Sequence, residues 1–186
     1  MVLRKLLHLS LVIPLFIFKS LSHQQVLWVL ASLAGLSLII EFLRIYSPAF
    51  RHRFIRLLSP LLKEKERGGN LTGATYLFLS FLIVFLIFPF KIFFYASLIA
   101  ILVDGLTPLL TAFLFNKNSK DHTHFFVFFI AAVIVAFVVN SGLSIWVKLG
   151  GSVLIAVLEY LDFPPDDNFW AELGGALIIY TLIHLI

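Results

Sequence analysis

The sequence predicts an all-α, polytopic membrane protein of about seven transmembrane helices, on three observations. The 186-residue chain is 61% hydrophobic and only 13% charged, with a mean hydropathy of +1.04, a balance ordinary water-soluble domains do not reach. Seven mostly apolar runs, each near the roughly 20 residues a helix needs to cross a bilayer core, take up most of it. Basic residues are spread unevenly over the breaks between those runs. A soluble enzyme is excluded. With no Cys in the chain, so are disulfide frameworks, thiolate nucleophiles and Cys-ligated zinc.

The first run, 2–18, opens with Arg4 and Lys5 in the order of a signal peptide. No small-x-small cleavage site follows and Lys19 stands where one is needed, so a permanent first helix is expected. The second run, 25–45, follows the break KSLSHQ. Runs 71–90, 93–115, 125–139, 143–160 and 169–186 come next, separated by Pro-Phe-Lys, NKNSKDHTH, Asn140-Ser-Gly and LDFPPDDN. Every break carries Gly, Pro or charge. Residues 1–186 thus read as a single integral membrane domain.

Between the second and third runs lies a basic, amphipathic loop, 47–70. Phe50, Phe54, Leu57, Leu58, Leu61 and Leu62 recur at helical spacing among its arginines, which suits a helix on the membrane surface. Those arginines suit anionic lipid headgroups or act as topology determinant and anchor alone. Seven of the 14 basic residues, Arg44, Arg51, Arg53, Arg56, Lys63, Lys65 and Arg67, fall at or after the end of the second run. By the positive-inside rule this loop is cytoplasmic. Alternation puts Arg4, Lys5, Lys117 and Lys120 on the same side, leaves Lys19, Lys91 and Lys148 outside, and sends the C-terminus outside.

Ionisable groups within a span cost about 2.5 to 3.5 kcal/mol each on insertion scales, so four polar sets stand out. Asp104 lies 11 residues inside the end of the fourth run, about 16 Å along a straight helix and near the midplane. Pro108 lacks the N–H that would bond the Asp104 carbonyl, and Gly105 and Thr107 loosen the same turn. A broken helix with a wet, polar lining is expected, or else an Asp neutralised by protonation or by a basic partner. The second set is Glu159, Asp162, Asp166, Asp167 and Asn168. Its crowded oxygens suit Mg²⁺, or else a capped helix start.

Arg4, Lys5 and His8 form the third set, with Arg4 and His8 on one helical face. The fourth is ERGGNLTGATY, 66–76, where glycines permit close backbone approach and free N–H groups at a helix start favour an anion. It is no Walker A motif, because no Gly-Lys-Ser/Thr follows. His122 and His124 read as loop residues, since no ligand pattern accompanies them. All four sets meet the cytoplasmic side. Together they suit phosphoryl transfer onto a membrane-embedded alcohol.

In order, the chain carries RKLLH, EFLR ending the second run, LTGATY, LVDG and EYLDFPPDDN. This succession resembles the CTP-dependent polyprenol and diacylglycerol kinase family, which includes dolichol, phytol and farnesol kinases and is distantly similar to phosphatidate cytidylyltransferases. The resemblance spans nearly the whole chain. It implies Mg²⁺-dependent transfer from a nucleoside triphosphate, CTP by family matching, to a lipid alcohol in the membrane. It also implies essential roles for Arg4 and Lys5, for Asp104 as the catalytic residue, and for Asp167 and Asn168.

On this reading Arg4, Lys5, His8, Arg67, Lys117 and Lys120 bind nucleotide and substrate, while Asp166, Asp167, Asn168 and Glu159 hold Mg²⁺. The expected partners are the lipid alcohol, the nucleotide and membrane lipids; nucleic acid is not among them. Where the family has a Lys-Ser/Thr-x-Glu-Gly loop, this chain reads NKNSKDHTHFF. The alternatives are a non-catalytic lipid-binding or transport protein on the same scaffold, or a cytidylyltransferase-like enzyme. The last lacks its Lys-Arg-x(4)-Lys-Asp signature here.

Overall fold

The computed structural model describes residues 2–115, 121–161 and 163–185, and these are helical, without strands. Asp162, Lys117 and Lys120 lie outside the described residues. Each predicted apolar run contains helix, but the first is divided into α1 (Val2–Ser10) and α2 (Val12–Ile17). The cause is Pro14, whose missing N–H and bulky ring disfavour a helical carbonyl four residues back, at Ser10. The second run is α3 (His23–Tyr46). Ser22 caps it by accepting from the Gln25 N–H, while Gln25 Oε1 accepts from the Ser22 N–H.

The basic loop folds as α4 (Pro48–Leu58), a 3₁₀ turn (Ser59–Leu61) and α5 (Glu64–Arg67). Ser47 caps α4 with Pro48 in its first turn. The amphipathic face is only partly covered: Leu57 is 77% exposed. The third run is α6 (Gly73–Ile87), closed by Phe88-Pro89. The fourth is one 26-residue helix, Phe90–Phe115, made of α7 (Phe90–Leu98), a π-helical stretch (Ile99–Val103) and α8 (Asp104–Phe115). The expected break is therefore a π-turn that keeps the helix continuous. Residues α9 (His122–Val138), α10 (Ile145–Leu161) and α11 (Asp167–Leu185) complete the chain.

The long helix 90–115 is the axis of the fold: Phe93, Tyr95, Leu98, Ile99 and Ile101 are fully buried. Helices α2, α6, α9 and α11 pack around it, α3 lies outside α6, and α1 crosses onto α8. α10 and α11 pair closely because Gly174 and Gly175 present no side chain. A Cβ at Gly174 would stand 2.5 Å from Leu158 Cδ2, and one at Gly175 3.2 Å from Ile155 Cδ1.

Breaks that alternation assigns to one side do meet in space. Lys19 donates to the Asn140 carbonyl at one end of the bundle (3.2 Å), and Lys63 reaches Asp166 and Asp167 at the other.

Among the described residues two helices, α3 and 90–115, are long and apolar enough to cross a membrane, against the seven expected. The others are shorter or less apolar: 15 residues in α6 and 17 in α9 and α10 rise about 22 to 26 Å at 1.5 Å per residue, short of a core about 30 Å thick. The apolar window of α3 is only 28% buried, against 50% in the axial helix. Trp28, Ile39 and Phe42 on α3 and Ile134, Phe137 and Val138 on α9 face outward.

Candidate functional site

Members of all four polar sets gather where the first turns of α1, α6 and α11 come together near Asp104, the first residue of α8. Lys5 Nζ donates to both carboxylate oxygens of Asp104, at 2.9 and 3.1 Å, and to the Asp104 carbonyl at 3.1 Å. That carbonyl is the one Pro108 cannot bond, so side-chain and main-chain oxygens converge on one ammonium. Asp104 is buried. Of the expectations for Asp104, the basic partner is the one seen, with Gly105 letting α1 approach closely: a Cβ on it would meet Leu9 Cδ2 at 2.6 Å. Thr107 folds its hydroxyl back onto the Val103 carbonyl at 2.7 Å.

The π-turn is also used. His8 Nε2 lies 2.9 Å from the Ala100 carbonyl and 3.7 Å from Asp104 Oδ2. A carbonyl only accepts, so Nε2 carries the proton in that contact and Nδ1 is the acceptor of the neutral ring. Because Asp104 is tied to the first turn of α1, it stands level with the start of that helix. The axial helix is longer than its neighbours, and its final residues, Phe113 to Phe115, overhang them exposed.

The late acidic set meets the basic loop. Lys63 Nζ donates to Asp167 Oδ1 at 2.7 Å and to Asp166 Oδ2 at 3.2 Å, and Lys65 lies 3.2 Å from the same Asp166 oxygen. Asn168 Nδ2 and its backbone N–H both donate to Asp166 Oδ1, at 2.8 and 3.2 Å. Burial works to lower the Lys63 pKa, the Asp167 carboxylate raises it, Arg4 lowers it and Asp166 raises it, with a net upward shift. Its folded pKa lies above the free value of 10.5, so the contact is complete at neutral pH and is lost only as pH rises through the shifted value.

Gly73 holds the sets together. A Cβ on it would lie 2.8 Å from Asn168 Nδ2, 3.2 Å from the Arg4 guanidinium and 3.3 Å from Glu66 Oε1. Only a residue without a side chain lets these groups meet. Asp167 in turn acts electrostatically on Asp104.

The expected anion site at the start of α6 is already filled by this chain. Glu41 Oε1 accepts the Thr72 N–H at 2.7 Å and the Thr75 hydroxyl at 3.1 Å, and Glu66 Oε1 accepts the Gly73 N–H at 2.8 Å. Arg44 completes the knot. Its guanidinium donates to Glu41 Oε2 and to the Glu66 and Asn70 carbonyls. Helix starts attract anions, and two buried carboxylates answer that demand without a ligand.

Other expected members stand elsewhere. Arg67 is exposed and donates to the Ser59 carbonyl at 2.8 Å, a staple of the loop, because α5 turns it away from α8. Among the described residues no three His, Asp or Glu side chains gather at metal-holding spacing, so Glu159, buried on α10, does not join Asp166 and Asp167. Those two carboxylates nonetheless converge on one cationic group, the Lys63 ammonium. Hard oxygens of this kind are what Mg²⁺ takes as ligands, and here they are engaged by Lys63, with Lys65 also 3.2 Å from Asp166. His122 stacks on Tyr160.

The sequence reading passed over Glu172. It is fully buried on α11, accepts from the Ser97 hydroxyl at 2.8 Å through Oε1, and has no hydrogen-bond partner for Oε2. Its signal was present, an acidic residue inside an apolar run, the same criterion that singled out Asp104.

Beside Arg4 and His8 opens a cavity of about 380 Å³. Leu7 and Leu11 of α1 form one wall, Leu77 and Phe78 of α6 a second, and Phe54, Leu58, Leu61 and Leu62 of the amphipathic segment the third. Arg4, His8, Glu66, Thr72 and Gly73 bring polar groups to an otherwise apolar lining. No known protein family, curated protein or solved structure matches this chain.

Proposed function

We propose that this chain is an integral membrane lipid-alcohol kinase, transferring a phosphoryl group from a nucleoside triphosphate, CTP by its motif resemblance, to a prenol, polyprenol or diacylglycerol. The observation that carries the reading is an apolar cavity lined in part by Arg4 and His8, with His8 in turn 3.7 Å from the Asp104 carboxylate that Lys5 holds. An amphiphile needs an apolar chain site. A phosphate donor needs fixed cations. Both stand within one helical turn of each other on α1.

In this mechanism the lipid oxygen attacks the γ-phosphorus, the bond to the β,γ-bridging oxygen breaks, and the nucleoside diphosphate leaves. The hydroxyl proton passes to the Asp104 carboxylate. Lys5 offsets the charge on Asp104, and Arg4 faces the donor phosphates. Asp166 and Asp167 would hold a Mg²⁺ in place of the Lys63 ammonium, where it would neutralise donor phosphate charge. The level of Asp104, with the start of α1, suits a donor arriving from water and an acceptor arriving from lipid.

Seven membrane crossings with the N-terminus in the cytoplasm belong to the same reading. The outward apolar residues of α3 and α9 support it, since a soluble core helix would bury them. Helices shorter than the bilayer core are accommodated by local thinning of the bilayer. A C-terminal reporter is expected to be active only on the non-cytoplasmic side; activity only in the cytoplasm would overturn the topology.

A non-catalytic lipid-binding protein is the second reading, favoured by the mutual satisfaction of Lys5 with Asp104 and of Lys63 with Asp166 and Asp167. Incubating detergent-solubilised protein with γ-labelled CTP or ATP and a panel of prenols and diacylglycerol separates the two. Label is expected in the lipid phase. No transfer from either nucleotide to any alcohol would leave the second reading.

A further inference from the structure

Helix α4 has two faces, and only one of them is partnered. Phe50 stacks on Phe54, the Arg44 guanidinium lies 5.9 Å from the Phe54 ring, and Phe54 and Leu58 wall the cavity. The other face carries Ala49, His52, Arg53, Arg56 and Leu57, at the three- and four-residue spacing that lines up one side of a helix. All five are exposed. Leu57, which spacing groups with the apolar residues, stands in the fold beside two arginines.

The basic residues of this region divide by what holds them. Arg44 is tied to Glu41, Arg51 to the Arg67 carbonyl, Arg67 to the Ser59 carbonyl, and Lys63 and Lys65 to Asp166. Arg53 and Arg56 have no hydrogen bond or ion pair among the described residues. The chain offers them no neighbouring acid, since neither Asp nor Glu occurs between Glu41 and Glu64. Like charges three residues apart on a helix repel, a cost that an external anion removes.

The level of α4 selects the anion. α4 begins after a single residue, Ser47, from the end of α3, and α3 is long and apolar enough to cross a membrane. Its last residue, Tyr46, is exposed and stacks on Phe42 at 4.6 Å. An outward ring with a polar tip at the end of an apolar helix marks the boundary between membrane and water. Phospholipid headgroups lie at that level. An anion dissolved in water would engage the arginines and leave Leu57 exposed, whereas a phospholipid engages both.

We propose that the outer face of α4 docks anionic phospholipid, with Arg53 and Arg56 pairing to the headgroup and Leu57 entering the acyl boundary. The inference rests on the membrane reading and not on the kinase chemistry. A basic residue at an anionic membrane surface contributes about 1 kcal/mol, so the pair corresponds to about thirtyfold in affinity at about 1.4 kcal/mol per tenfold.

Full-length protein in a neutral detergent would be titrated with phosphatidylglycerol and, separately, with phosphatidylcholine, and bound lipid counted by native mass spectrometry. Phosphatidylglycerol is expected to bind about thirtyfold more tightly, and less so as ionic strength rises. Arg53→Gln/Arg56→Gln is expected to remove most of that preference and Lys91→Gln, at the start of the axial helix, to keep it. Neither arginine is buried, so the double variant is expected to melt with the unaltered protein. The comparison of two lipids on the unaltered protein stands even where the variant misfolds.

Equal affinity for the two lipids, a preference unchanged in the double variant, or displacement of the lipid by inorganic phosphate at the same concentration overturns the inference. So does a change in oligomeric mass in the double variant with the lipid preference intact, which would make this face a contact between copies. Protein that leaves the bilayer in an alkaline carbonate wash overturns the membrane reading itself; protein that stays and shows no lipid preference overturns the docking face alone.

Discussion

Asp104→Asn protein is expected to fold and insert but to lose at least about a hundredfold in turnover, the lower range for removing a general base. Asn keeps the shape of Asp104 and can still accept from Lys5, so α1 remains docked on α8. What it removes is the negative charge between Lys5 and His8 and the lone pair that receives the hydroxyl proton. Leaving the Lys5 ammonium without its counterion carries a stability cost, since breaking a buried pair from one side costs about 3 to 5 kcal/mol in fully buried cases. Lys5 is partly exposed, which reduces that cost.

The measurement is turnover per correctly folded molecule, with melting temperature followed in parallel. Near-normal turnover from the folded variant would remove Asp104 from the chemistry and leave it as the anchor of α1. A loss of turnover that merely tracked the fraction unfolded would have the same meaning.

The largest effect on stability is expected at Arg44. Arg44→Ala should destabilise the protein by about 3 to 5 kcal/mol, the cost of stripping one partner from a buried ion pair. The side chain is 1% exposed and holds Glu41, the Glu66 carbonyl and the Asn70 carbonyl at once. Without it the Glu41 carboxylate keeps only the Thr72 N–H and the Thr75 hydroxyl, the Glu66 carbonyl keeps the Gly69 N–H, and the Asn70 carbonyl loses the guanidinium as donor. Arg44→Lys is expected to recover little, because an ammonium is a point charge and the knot uses the fork of a guanidinium in three directions. Thermal unfolding in detergent checks both variants. A loss below about 1 kcal/mol for Arg44→Ala, the range of an exposed pair, would show that the knot does not hold α3 to α6.

Much of the helical scaffold was legible because its signals are local. Ser22 with Gln25, Ser47 with Pro48, and Thr72 with Thr75 lie within three positions of each other and set where α3, α4 and α6 begin. Pro14 likewise contained the division of the first run. The expectation that the polar sets gather at one end was legible too, since a buried charge must find a partner or water. Glu172 was equally legible by that criterion and was missed. The expected midplane depth of Asp104 was counted from the end of the fourth run, whereas in the fold Asp104 is tied to the first turn of α1 and α8 runs on to exposed Phe113–Phe115.

By itself the sequence determined that the chain is helical, where its turns fall, and that the Asp104 carbonyl beside Pro108 would need a donor from outside its own helix. Only the tertiary structure decided which donor: Lys5, 99 residues away, and not Arg67. It also decided that Lys63 closes on Asp166 across 103 residues, that Glu41 and Glu66 occupy the anion site at the start of α6, and that a cavity opens beside Arg4. Propensity and capping act within a few positions along the chain, so a sequence can state them. Several cations on one face satisfy a buried carboxylate equally well by charge, and only the packing of α1 into the gap left by Gly105 brings one of them within hydrogen-bonding distance.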